Sequence, residues 1–107
     1  MIKNKSIYLL VCLIEECAEV VQSACKAIRF GLEARRPWTD RARTSNAEDI
    51  VQEFTEAQAL MDMLRHEGVL DKPGNPFIRD LKRKKVIEYM KLSRRNGMLD
   101  DGGQTDG

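Results

Sequence analysis

The stretch at residues 13–30, LIEECAEVVQSACKAIRF, constrains the fold most, because it sets three carboxylates inside an otherwise apolar run. At about 100° of rotation per residue, a helix gathers Glu15, Glu16 and Glu19 within an arc of roughly 100°. Lys26 falls in the same arc, two turns below Glu19. The other faces carry Leu10, Leu13, Ile14, Ala18, Val20, Val21, Ala24 and Ile28. A helix apolar over most of its circumference belongs between packing partners. An unpaired buried charge costs several kcal/mol or more, so the carboxylates require an explanation. A bound divalent cation is one; a solvated stripe is the plainer alternative.

The chain has 107 residues, enough for one domain with a modest core. Its net charge of +1 supplies no field to recruit nucleic acid or a membrane surface. The longest apolar run, residues 7–14, is too short to span a bilayer. Lys3 and Lys5 precede apolar residues, but glutamates follow at once with no small-residue cleavage site, so no signal peptide is expected. A cytoplasmic location is the expectation. Cys12, Cys17 and Cys25 match no zinc spacing and are an odd number for a disulfide framework, so they read as reduced, partly buried side chains. The single histidine, His66, suits the last turn of a helix better than a metal site.

The punctuation predicts three helices. Ser6 caps the first, which runs to about Phe30 with Gly31 as its stop. A loop at residues 32–44 carries Arg35, Arg36, Pro37, Trp38, Arg41 and Arg43. Ser45 or Asn46 caps the second helix, with Glu48 and Asp49 in its first turn, and Gly68 ends it after about His66. Asn75 and Pro76 open the third, which reaches about Asn96 before Gly97. No segment alternates with period two, so no sheet is expected. The reading is an all-α domain over residues 1–99, completed by self-association into a homodimer or homotetramer, with residues 100–107 a disordered tail.

The second helix repeats the acidic theme. Glu53 and Glu56 lie at i and i+3 on one stripe, with Asp49 a turn earlier and Ile50, Phe54, Ala57, Met61 and Leu64 beside it. Asp62 falls roughly opposite Glu53 and is left out of the candidate site. If the two helices pack antiparallel, the carboxylates converge. Such hard oxygen ligands, without Cys or His, suit Mg²⁺ or Mn²⁺ rather than zinc.

The pattern EExxE (Glu15, Glu16, Glu19) followed by ExxE (Glu53, Glu56) resembles the MazG-like all-α nucleoside triphosphate pyrophosphohydrolases, whose own pattern is EExxE then ExxD. The segment LLVCLIEECAEVVQSACKAIRFG resembles the first helix of small members, phage-encoded ones included. KRKKVIEYMKLSRRNG resembles their C-terminal helix. The similarity covers about residues 7–99. Two features depart from it: Glu56 stands where the family usually has Asp, and the arginine-rich loop lengthens the spacing between the motifs.

The resemblance implies a helical bundle completed by oligomerisation and Mg²⁺-dependent hydrolysis of a nucleoside triphosphate, ribo or deoxy, to the monophosphate and pyrophosphate, in the host cytoplasm if phage-encoded. Divalent ions on Glu16, Glu19, Glu53 and Glu56 would neutralise the triphosphate and acidify a bound water. Glu16 and Glu15 then read as the catalytic carboxylates, with Glu15 orienting or deprotonating the attacking water, or steadying a ligand. Lys26 and Lys85 are the candidate phosphate contacts, and Tyr89, Phe30 or Trp38 the candidate base platform. Each has a plainer reading: Lys26 as an electrostatic neighbour of Glu19, Lys85 as a snorkelling lysine, Tyr89 and Trp38 as packing residues. The rival function is a non-catalytic nucleotide- or nucleic-acid-binding module using the basic third helix, with Lys82, Arg83, Lys84, Lys85, Lys91, Arg94 and Arg95. A catalytically dead scaffold is a third reading. Magnesium-dependent pyrophosphate release separates the enzyme from both.

Overall fold

The computed structural model describes residues 4–35, 44–72 and 74–100. These residues form three helices, α1 (Asn4–Phe30), α2 (Asn46–His66) and α3 (Pro76–Arg95), and no strand beyond one isolated bridge between Arg35 and Ser45. The expectations for Arg36, Pro37, Trp38, Arg41 and Arg43, and for the tail at 101–107, lie outside the described residues. No helix among them is long and apolar enough to cross a membrane.

The helices stop where the chain leaves right-handed space. Gly31, Gly68 and Gly97 have φ of 100°, 77° and 74°, a region that only glycine enters without steric cost. α2 begins with a complete capping box. Ser45 Oγ accepts the Glu48 N–H at 3.1 Å, and Glu48 Oε1 accepts the Ser45 N–H at 3.2 Å. Pro76 opens α3, where Asn75 Oδ1 accepts the Phe77 N–H. The start of α1 differs from expectation. It begins at Asn4, and Ser6 sits inside it, buried against α2 rather than capping.

The described residues fall into two compact units, one running to Lys72 with α1 and α2, the other carrying α3. In the first, α1 and α2 form an antiparallel hairpin. At one end Lys5 Nζ meets Glu67 Oε1 at 2.7 Å. At the other, Asn46 Nδ2 donates to the Gly31 carbonyl at 2.9 Å, and the Asn46 and Ala47 N–H groups donate to Ala34 and Leu32. The seam of α1 repeats at alternating spacings of three and four through Ser6, Leu9, Leu13, Glu16, Val20, Ser23 and Ala27, all buried or half-buried. That is the seven-residue repeat of intermeshing helices. α2 answers with Asn46, Asp49, Glu53, Ala57, Leu60 and Leu64, of which Leu64 has no exposed surface. Serine and alanine at the seam let the backbones approach closely. The cysteines are more open than expected: Cys12 is half-buried, but Cys17 and Cys25 are exposed, because they lie off the seam.

α3, in the second unit, has no buried residue. Its Asp80–Arg83 and Glu88–Lys91 ion pairs are spaced three residues apart and exposed, so each adds a few tenths of a kcal/mol at most.

Candidate metal centre

Two seam positions that a helical hairpin ordinarily fills with apolar side chains are glutamates, Glu16 on α1 and Glu53 on α2. Glu19 and Glu56 stand one turn away on the same stripes. The antiparallel register set by Lys5 and Glu67 brings them level. Eleven residues along α1 and eleven back along α2 is Glu16 opposite Glu56, and three further is Glu19 opposite Glu53. One oxygen from each of the four carboxylates lies within 4.8 Å of all the others. The four residues read from sequence as ligands are therefore brought together from two helices.

The surroundings are not those of a solvated acidic face. Glu53 is 2% exposed, and Glu16 and Glu56 are half-buried. Oε2 of Glu16 is enclosed without a hydrogen-bond partner among the described residues. Burial, then a hydrogen bond with the Glu56 carboxyl, then the charges of Glu19, Glu56 and Glu53 push the Glu16 carboxyl from 4.5 up to about 7. Without an ion, Glu16 thus keeps a proton near neutrality. Gln52 Nε2 donates to Glu56 Oε1 at 3.2 Å and steadies it from one turn away, a role the sequence reading did not assign, although the i,i+4 spacing signals it. Asp49, on the same stripe, is taken into the start of α2, where Oδ1 accepts the Thr44 hydroxyl at 2.9 Å.

This donor set fits a hard divalent cation. Oxygens on opposite sides of Mg²⁺ are about 4.2 Å apart, and of Ca²⁺ about 4.8 Å, so the cluster already has the span of one coordination sphere. Cysteine and histidine are absent from it, which disfavours zinc.

The remaining site residues are placed as follows. Glu15 is exposed and outside the four-carboxylate cluster. Lys26 is half-buried on α1, two turns beyond Glu19, and lines a shallow surface recess with Val21, Gln22, Cys25, Ile28 and Arg29. Lys85 is exposed and Tyr89 is 58% exposed on α3, in the other unit. Arg35, at the near end of the arginine-rich loop, has Nη1 3.5 Å from Glu48 Oε1. Asp62 is exposed and pairs with Arg65 at 3.7 Å, away from the cluster, as its helical phase requires. No protein-family model matches this chain, and no curated protein or solved structure is significantly similar to it.

Proposed function

We propose that the chain is a Mg²⁺-dependent nucleoside triphosphate pyrophosphohydrolase of the MazG-like type, working in the cytoplasm as a homodimer or homotetramer. The observation that carries the reading is the convergence of Glu16, Glu19, Glu53 and Glu56 across a helical hairpin, two of them at seam positions. Those four would hold Mg²⁺, or Mn²⁺, and the ion would supply charge neutralisation for the triphosphate and an acidified water.

The chain's own residues account for the rest. Gln52 holds Glu56 in position. Glu15, exposed beside the cluster, is the candidate to orient or deprotonate the water. Lys26 offers positive charge along the same face of α1 and is the candidate phosphate contact, with Lys85 and Tyr89 of α3 as further candidates for phosphate and base. The protein pays for this arrangement with a less apolar seam.

The test is a panel of ribo- and deoxynucleoside triphosphates incubated with Mg²⁺, with pyrophosphate and monophosphate measured. The expected result is equimolar release that EDTA abolishes and Mg²⁺ restores. Absence of pyrophosphate across the panel, with Mg²⁺ or Mn²⁺, would contradict the reading and leave a binding module or a dead scaffold.

A further inference from the structure

The outward side of α1 carries a second apolar run that the hairpin does not use. Ile7, Val11, Ile14, Ala18, Val21, Cys25 and Ile28 recur at alternating spacings of four and three, and every one is exposed. Ile14, Val21 and Ile28 keep 66%, 62% and 85% of their surface. At about 100° per residue, this run lies roughly 140° round α1 from the seam that meets α2. It has the seven-residue repeat of a helix that packs on another helix, and a continuous exposed stripe of this kind marks an interaction site.

The order of residues identifies the occupant. Laid antiparallel on itself about a two-fold axis at Ala18, the run is its own complement. Ile7 meets Ile28 of the second copy, Val11 meets Cys25, Ile14 meets Val21, and Ala18 meets Ala18. The smallest side chain falls at the centre, where two helices approach most closely. The flanking row of Tyr8, Glu15, Gln22 and Arg29 chooses the direction. An antiparallel pair sets Glu15 against Gln22 and Tyr8 against Arg29. A parallel two-fold pair would set this row against the other flank of the second copy, Leu10, Cys17 and Ala24, and leave Glu15 and Arg29 without a polar group opposite.

We propose that this face of α1 is a two-fold interface with a second copy of the chain, the two α1 helices lying antiparallel about Ala18. The interface rests on the homo-oligomeric part of the function proposed above and not on the reaction, so turnover is not among its readouts.

Two experiments test it. In a chain with Cys12, Cys17 and Cys25 replaced by serine, Ala18→Cys should give a nearly complete disulfide-linked dimer on mild oxidation at micromolar concentration. A chain keeping only Cys25 should not cross-link. In the proposed pair Cys25 and its counterpart stand about 21 Å apart along the axis, far beyond disulfide reach. Equal cross-linking through both positions means a parallel or random encounter and overturns the proposal. In the otherwise unchanged protein, Ala18→Glu sets two carboxylates face to face. It should at least halve the sedimenting mass while helical circular dichroism and melting remain cooperative. Three results each overturn the interface: a monomeric unsubstituted protein, an assembly that survives Ala18→Glu, or unfolding by Ala18→Glu, which would mean that the face is covered within a single chain.

Discussion

Glu16 holds the conflict of the site in one side chain. Burial, the Glu56 hydrogen bond and the neighbouring glutamates raise its carboxyl from 4.5 to about 7. The folded chain therefore keeps a proton there that the unfolded chain has already released. The contribution of this group to ion-free stability is complete below about 4.5 and is lost as pH rises through about 7. Thermal melts without divalent cation should fall across that window. Because Mg²⁺ needs the ionised form, its stabilising effect should grow over the same window. A flat ion-free profile, or an equal Mg²⁺ effect at acid pH, would count against the cluster. The substitutions argue the same way. Glu19→Gln or Glu53→Gln removes a carboxylate from a repelling set, so ion-free stability should hold or rise while Mg²⁺-dependent turnover disappears. Were these glutamates structural ion-pair partners, breaking a buried pair would instead cost about 3–5 kcal/mol. Asp62→Asn should leave turnover nearly intact, since Asp62 is exposed and paired with Arg65. Glu56→Asp restores the residue type usual in the resembled family, so it should keep or improve activity.

The hairpin depends on how α2 begins. Ser45 is 2% exposed and exchanges both hydrogen bonds of the capping box with Glu48. The Ser45 N–H first, then the Ser45 hydroxyl and the Arg35 charge, hold the Glu48 carboxyl below its ordinary value. Ser45→Ala should cost about 1 kcal/mol. For a domain of this size that is a melting shift of roughly 4–8 °C, measurable by calorimetry. Such elements were legible in the sequence because their signals are local. Gly31, Gly68 and Gly97, the Ser45–Glu48 pair and the Asn75–Pro76 start each fix a helix end with the residues that stand there. The four carboxylates were legible for a similar reason, since helical phase alone puts each pair on one stripe. What was not legible is nonlocal. α1 carries two apolar stripes with the same repeat, so periodicity does not say which one meets α2. The cap preference of Ser6 points to a helix start, but the residue lies in the seam, and Cys17 and Cys25, expected to be partly buried, face outward. The Asn46 bond to the Gly31 carbonyl, fifteen residues away, has no sequence signature at all.

In the molecule as a whole, stability and site compete for the same seam. Leu64 closes one end of the hairpin with no exposed surface, and Leu64→Ala should cost about 2–5 kcal/mol, read from denaturant unfolding. Midway along, the seam gives Glu16 and Glu53 the positions where an ordinary hairpin would place leucines. A chain selected only for stability would not keep carboxylates there, since replacing buried charged groups with apolar ones of similar size is often stabilising. The double substitution Glu16→Leu with Glu53→Leu turns this into a measurement. It makes the middle of both seams apolar and removes two of the four oxygens that converge within 4.8 Å. The expected protein melts at a higher temperature than the unsubstituted chain without divalent cation, gains nothing from Mg²⁺, and shows no ion-dependent pyrophosphate release. A double variant that melts lower, or one that Mg²⁺ still stabilises, would mean that the two glutamates support the hairpin through protein contacts and that the cation, if bound, is held elsewhere.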